Sequence, residues 1–557
     1  MGRFRFLTFF FFLLAFVTVS RLFYWQVLRS KDLKALAESQ HWQFLQIPAP
    51  RGKIFTSDGF PLVTNQIAYL VYGEPNKIRD REKTAKVLSE VLKIDQASVS
   101  ARLKDELLFV PIKHKVEGEK VKVLSELNLE GIGQEFEEKR LYPEGSMSAH
   151  LLGFVGSDRS GKDTGYFGIE GFYNIELSGQ PGILRQEKDA EGQPIIMGEY
   201  KATEPLPGYS LSLTIDRAIQ FMVENRLKDG VERFGAKSGS VVVMEPGTGK
   251  ILAMASFPNY EPENWQEYDE SLFKNPVICD SYEPGSTFKV VSMAAALDSK
   301  AVTPETVCDK CSGPREICGY KISTWNDKYY PNSSMKEILQ HSDNVGMVFV
   351  IEKLGLKRFF KYLEAFGIGE PTGIDLQEEA SPQLRPQNQW YPIDLATAAF
   401  GQGISLTPIQ MVRAVAVIAN GGKLMKPYVI QKIIGEDREI EIRPKVVRQV
   451  VSPKTARILT EMLVSAVDNG EARAFKPSGF KIAGKTGTAQ IPIAGHYDPH
   501  KTIASFVGFA PADEPKFVML VRLAEPTASP WGSETAAPLF FDIAQDLFAY
   551  FGITPGY

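Results

Sequence analysis

Cysteine is scarce, with four in 557 residues, which excludes a scaffold built on disulfides. Histidine is nearly as scarce. The six histidines show no H-E-x-x-H or comparable ligand spacing, so no catalytic metal site is legible and no cofactor is expected. An excess of charge is also missing: Lys and Arg number 63 against 67 Asp and Glu, a formal net charge of −4. So balanced a chain offers no basic field for nucleic acid. Internal repeats and low-complexity tracts are absent. Beyond residue 28 no apolar run is long enough to cross a bilayer.

A chain of 557 residues is too long for one hydrophobic core, so two or three domains are expected. Its first segment is unlike the rest. From Phe6 to Leu28 it is apolar except for Thr8, Thr18, Ser20, Arg21 and Gln26. As a helix this run would reach roughly 34 Å, enough to span a membrane. Tyr24 and Trp25 suit the far interface, where Arg21 can snorkel. A cleaved secretory signal is the rival reading, but no small-x-small site follows the run, so an uncleaved anchor is expected. Arg3 and Arg5 before the run and Arg29, Lys31 and Lys34 after it leave the orientation undecided by charge.

Further along, "RGKIFTSDGFPLVTN" reads as strand, Asp-Gly turn, strand, and "REKTAKVLSEVLKI" and "GEKVKVLSELNL" as amphipathic helices. "LSGQPGIL" and "EPLPGYS" are turn-rich breaks. "LSLTIDRAIQFMVENRLKDGVERFG" is a strand followed by a long helix. "SGSVVVMEPGTGKILAMASFP" and "TIASFVGFAPADEPKFVMLVRLAEP" are apolar hairpins, and "FKIAGKTGTAQI" is a strand just before the second. Helical stretches lie around 286–300, 334–365 and 394–420. An α+β fold, an antiparallel sheet flanked by helices, fits this order.

One stretch poses a chemical question. In "DSYEPGSTFKVVSMAAAL", Ser286 follows a Pro-Gly break, Lys289 lies one turn on, and an apolar helix begins. The pair shares a helix face and can form one activated nucleophile. The S-x-x-K pattern alone is weak, since it recurs at Ser271, Ser333 and Ser478, and a helix cap beside a surface lysine is the bland alternative. Ser342-Asp343-Asn344 falls between two helical stretches and read alone is a capped turn. Lys485-Thr486-Gly487 sits inside an apolar strand, where a lysine is ordinarily an exposed alternate residue and a glycine marks close backbone approach. The order S-x-x-K, S-x-N, K-T-G is another matter, because it is the motif set of penicillin-binding proteins and class A β-lactamases.

Nearly the whole chain resembles the class B penicillin-binding proteins, monofunctional D,D-transpeptidases that cross-link peptidoglycan. "YEPGSTFK", "SDNVG", "FGQGISLTPIQ" and "GKTGTAQ" resemble the family's serine β-lactamase-like catalytic domain. "RGKIFTSDGFPL" and "GIEGFYNIELSGQPG" resemble its extended pedestal, in wording closer to septal (division) than to elongation members. The resemblance implies a cytoplasmic tail and anchor over 1–30, a dimerisation-type pedestal over 31–210 and a transpeptidase domain over 211–557. The catalytic domain would then lie outside the cytoplasm on a single-pass anchor in a bacterial plasma membrane.

Residue chemistry and the resemblance together assign roles. Ser286 attacks a D-Ala-D-Ala stem and forms an acyl-enzyme. Lys289 takes its proton, which requires a lysine pKa about 3 units below its usual value, and burial beside Lys485 acts in that sense. Ser342 relays the proton, and Asn344 orients Lys289 and the substrate amide. Lys485, Thr486 and Thr488 suit the terminal carboxylate, with Gly487 leaving room for the substrate and Asp343 among the substrate contacts. By resemblance, the backbone N–H groups of Ser286 and Thr488 form the oxyanion hole. Neither Asp343 nor Asp498 can be assigned as a deacylating base. The implied partners are peptidoglycan stem peptides, β-lactams, a separate membrane glycosyltransferase and divisome or elongation proteins. A β-lactam hydrolase or sensor on the same domain, and a non-catalytic division scaffold, remain alternatives. "VCDKCSGPREIC" departs from the family in its cysteines. Cys308, Cys311 and Cys318 are read as a disulfide among themselves, as buried thiols, or with Cys279 as zinc ligands.

Overall fold

The computed structural model describes the chain except for residues 1, 105–106, 160, 189–194, 196–199, 494–495 and 557. Its contacts divide it into two compact units, Met1–Gly52 with Ser178–Gly208, and Lys53–Leu177 with Tyr209–Tyr557. The first unit opens with the apolar run, helical over Gly2–Phe23 and continued by a wider π-type turn over Tyr24–Leu28. Its large apolar side chains are exposed all round. Among the described residues it is the one helix long and apolar enough to cross a membrane. A second helix, Ser30–His41, leads into a three-stranded antiparallel sheet in which Gly182–Glu187 pairs with both Trp42–Ile47 and Tyr200–Thr203.

The second unit holds two large sheets. One has seven strands and collects distant parts of the chain. The expected Asp-Gly hairpin is present, with Ile54–Phe55 antiparallel to Pro61–Gly73. The latter strand also pairs with Val110–Glu117 and Ile132–Leu141. On its other side, Ile54–Phe55 runs parallel to Ser210–Leu213, which pairs in turn with Ile430–Ile434. Both predicted amphipathic helices form, as Arg81–Leu92 and Gly118–Glu126. Asp80 caps the first by accepting from Lys83 N. The "GIEGF" turn helix buries Glu170 completely against Arg140, whose Nε donates to it at 2.9 Å.

The other sheet has five antiparallel strands in the order Ile251–Phe257, Ser238–Met244, Phe517–Ala524, His496–Ala510, Ala483–Ile493. Both of its faces are covered. Val241, Val243, Met519 and Val521 join one core with the helices Arg217–Phe234 and Ala536–Tyr550. Val242, Met244, Val518 and Leu520 face a second core, built on Lys289–Asp298, Asn344–Leu354, Pro408–Ala419 and Pro453–Asn469. Every residue of Phe517–Ala524 is buried, Arg522 included, so that strand shows no alternation of apolar and polar faces. The α+β expectation is borne out, with Lys485, Thr486 and Gly487 on the edge strand. The helix Pro453–Asn469 was not anticipated. The stretch read as helical over 394–420 is two helices, Pro392–Ala398 and Pro408–Ala419.

Candidate active site

The catalytic question begins at Gly285. Its φ is +54°, and a Cβ there would stand 2.9 Å from the Thr488 carbonyl. Only glycine lets the chain pass this close to the edge strand. A tight 3₁₀ turn, Gly285–Phe288, follows, and the α-helix starts at Lys289. Ser286 therefore stands half-buried on the turn, while Lys289 is completely buried beneath it. The other S-x-x-K pairs are not sites of this kind. Ser271, Lys274, Ser478 and Lys481 are exposed, and Ser333 is buried but donates to Tyr330 O.

Ser342 is buried with φ +52°, a left-handed conformation disfavoured for any residue with a side chain. That conformation turns both its carbonyl and its hydroxyl toward lysine. Lys289 Nζ donates to Ser342 O at 2.6 Å and to Asn344 Oδ1 at 2.8 Å, with Ser342 Oγ at 3.3 Å. From the edge strand, Lys485 Nζ donates to Ser342 Oγ at 3.0 Å and to Thr486 Oγ1 at 3.1 Å. The Ser342 hydroxyl thus lies between two buried lysines. Burial pushes Lys289 well below the ordinary lysine value, and Lys485 pushes the same way, against Asp343 and Glu471. Burial lowers Lys485 too, opposed by Glu471.

Ser286, Ser342, Asn344, Thr486 and Thr488 line one cleft. Two residues expected beside the substrate have other neighbours. Asp343 is not on the cleft wall: it is buried as the cap of helix Asn344–Leu354, accepting from Gly346 N at 3.1 Å. The tripeptide spans a helix start, where the middle residue turns back onto the backbone. Gly487 does not face open space either. A Cβ there would meet Ser505 Oγ at 2.5 Å and Thr287 Cγ2 at 2.8 Å, so its bareness admits the nucleophile turn. Lining residues that carried no sequence signal are Trp325, Glu471 and Trp531, while Phe400 opens the stretch "FGQGISLTPIQ". Trp325 and Trp531 meet edge to face at 5.0 Å. Gln402 also lines the cleft and lay unremarked within "FGQGISLTPIQ". Outside the cleft, Cys308 and Cys311 form a disulfide, while Cys279 and Cys318 are free. Of the three cysteine readings the structure takes the first, without Cys318. No cluster of metal-ligating residues occurs among the described residues.

Comparison with known proteins places this cleft in a family. Residues 239–545 match the family described as the penicillin-binding protein transpeptidase domain, and residues 46–213 match the penicillin-binding protein dimerisation domain. The chain belongs to the class B penicillin-binding proteins. Relatives of this class B penicillin-binding protein include stage V sporulation protein D of Bacillus subtilis, 34% identical over 96% of this chain and 84% of the relative. The peptidoglycan D,D-transpeptidase FtsI of Escherichia coli is 29% identical over 97% of this chain and 90% of its own. Among solved structures, penicillin-binding protein 3 of Mycobacterium tuberculosis in complex with aztreonam is 25% identical. It superimposes with a TM-score of 0.71 over 92% of this chain and 98% of that one.

Proposed function

We propose that this penicillin-binding protein is a peptidoglycan D,D-transpeptidase whose acyl-enzyme forms on Ser286. The observation that carries the residue assignment is the Ser342 hydroxyl held between Lys289 and Lys485 beside Ser286. In this reading Ser286 Oγ attacks the carbonyl between the two terminal D-alanines and its proton passes to Lys289. The carbonyl oxygen gathers negative charge facing the backbone N–H groups of Ser286 and Thr488. Two features support that pair: the first N–H groups of a helical turn lack partners within it, and an edge strand leaves N–H groups open to a ligand. Collapse breaks the amide, and the departing amine takes the proton through Ser342. A second stem's amine then attacks the ester, returning Ser286 to its hydroxyl. Thr486 and Thr488, lining the cleft, are assigned to the donor's terminal carboxylate beside Lys485. The open edge of Ala483–Ile493 suits an extended peptide added as a further strand.

A β-lactam undergoes the same attack, but its amine remains tethered and the adduct persists. A fluorescent penicillin should label the wild-type protein lastingly at Ser286. Ser286→Ala should abolish labelling, and Ser271→Ala, Ser333→Ala and Ser478→Ala should not. An adduct mapped to another serine, or one that turns over rapidly as in a hydrolase, would refute the assignment.

The domain division at 30 and 210, the plasma-membrane location with the catalytic part outside the cytoplasm, and a septal role belong to the same proposal. The septal role rests on the pedestal wording of "RGKIFTSDGFPL" and "GIEGFYNIELSGQPG". A separate membrane glycosyltransferase would deliver nascent strands, since the anchor and the two matched regions occupy most of the chain. Purified protein given lipid-linked disaccharide precursor alone should make no glycan polymer; polymer would refute the dependence on a partner.

A further inference from the structure

Two buried lysines that share one hydroxyl cannot both carry charge cheaply. Something must decide which one holds the proton. Lys289 Nζ makes its two short bonds to carbonyl-type acceptors, Ser342 O at 2.6 Å and Asn344 Oδ1 at 2.8 Å. Ser342 Oγ is its third neighbour, at 3.3 Å. Lys485 Nζ likewise meets three oxygens, Ser342 Oγ, Thr486 Oγ1 and Thr486 O, at 3.0, 3.1 and 3.4 Å. The number of acceptors therefore does not separate the two lysines; what lies behind the acceptors does.

The hydrogen-bond chain continues past Lys485. The Thr486 hydroxyl accepts from Lys485 and donates to Glu471 Oε2 at 3.4 Å. Glu471 is the carboxylate among the residues lining the cleft. Its position brings no local benefit, because it lies just past the C-terminal end of helix Pro453–Asn469, where the helix dipole disfavours negative charge.

The other charged groups around the pair are Asp343 and, acting on Asp343, His341. Asp343 is spent as a helix cap, and its burial raises its own pKa, which weakens its hold on a charged Lys289.

We propose that Glu471 is a positioning residue: through the Thr486 hydroxyl it keeps Lys485 as the ammonium ion while Lys289 stays neutral, so the pair is asymmetric before substrate arrives. The inference rests on the serine–lysine reading above and names what sets its charge pattern. Lys485 then attracts the substrate carboxylate, and Lys289 is free to take the Ser286 proton.

The test is the pH profile of acylation by a fluorescent penicillin. It uses the full chain in detergent as wild type, Glu471→Gln and Glu471→Asp. Loss of the charge should move the basic limb, where Lys485 gives up its proton, down by roughly half to one pH unit. The aspartate variant should return it toward the wild-type position. Because Glu471 is exposed, about 1 M salt should shrink the difference between wild type and Glu471→Gln. A basic limb unmoved by Glu471→Gln, or a rate lowered equally at every pH, would overturn the proposal. Mapping the adduct separates the two levels of inference. An adduct at Ser286 with an unmoved limb removes only the role of Glu471; an adduct elsewhere removes the serine–lysine reading as well.

Discussion

Replacing Ser342 separates a chemical role from a structural one, because its backbone and its side chain pull in opposite directions. Its φ of +52° costs a residue with a Cβ about 1 to 2 kcal/mol relative to glycine. Its hydroxyl, in contact with two lysines at 3.3 and 3.0 Å, contributes a hydrogen bond to a charged group. Such a bond is worth about 1.5 to 3 kcal/mol. If that bond is maintained in the acylation transition state, Ser342→Ala should slow acylation roughly 10- to 150-fold. Ser342→Gly should slow it as much, yet unfold at a higher temperature than the alanine variant, because glycine accepts the left-handed backbone. In both variants the bond from Lys289 to the residue 342 carbonyl survives, so Lys289 stays in place. The assay is the second-order rate of labelling by a fluorescent penicillin, read beside thermal unfolding. Acylation of the alanine variant within about threefold of wild type would refute a proton-relaying hydroxyl. Acylation recovered by glycine would instead assign the residue's importance to its backbone.

Other positions give sharp expectations. Asp343→Ala should destabilise the protein by about 1 kcal/mol through loss of a helix cap, whereas Asp343→Asn, which still accepts from Gly346 N, should leave the thermal midpoint nearly unchanged; weaker substrate binding by the asparagine variant would restore a substrate contact. Glu224 is half-buried, and desolvation pushes its carboxyl up to about 7. The unfolded chain ionises near 4.3 while the folded one stays protonated, so stability falls as pH rises between those values, on the order of 3 kcal/mol in all. Glu224→Gln should flatten that dependence in thermal scans across the window, and an unchanged slope would count against it. A Cβ at Gly401 would stand 2.2 Å from Gly285 O, at a φ of +80°. Gly401→Ala should therefore displace the nucleophile turn and cut labelling more than tenfold; near-normal labelling would show that the turn can give way.

What could be read from the chain followed how locally each feature is encoded. The hairpins at 238–257 and 496–524 and the helix Arg217–Phe234 carry their own periodicity and turn residues, and they form as expected. Three short motifs disclosed four of the cleft-lining residues, Ser286, Ser342, Asn344 and Thr486, because the chemistry demands those side chains. At Asp343 the capped-turn reading of the tripeptide is what the backbone takes, since a tripeptide gives order but not side-chain direction at a helix start. Trp325, Glu471 and Trp531 come from three separate segments that only the tertiary fold assembles. Strand pattern alone makes Lys485 an exposed alternate residue; the motif set assigned it to the site instead, and it is buried with its Nζ on the Ser342 hydroxyl. Likewise, nothing in Ile430–Ile434 announced that it would pair with Ser210–Leu213.

That pairing constrains how such genes can be shuffled. Ser210–Leu213 lies between Ile54–Phe55 on one side and Ile430–Ile434 on the other, and Glu439–Glu441 continues the same sheet beyond it. A mosaic allele that takes residues up to 213 from one parent and everything after from another would join two half-sheets of different ancestry along a single row of hydrogen bonds. Backbone pairing tolerates such a change, but the apolar contacts of Leu211 and Leu213, both fully buried, do not adapt as freely. Crossovers that exchange 430–441 together with the amino-terminal half keep the seam within one parent. The unit of inheritance in this fold is therefore discontinuous, and a swap confined to the transpeptidase segment should be tolerated only between parents that match along that row.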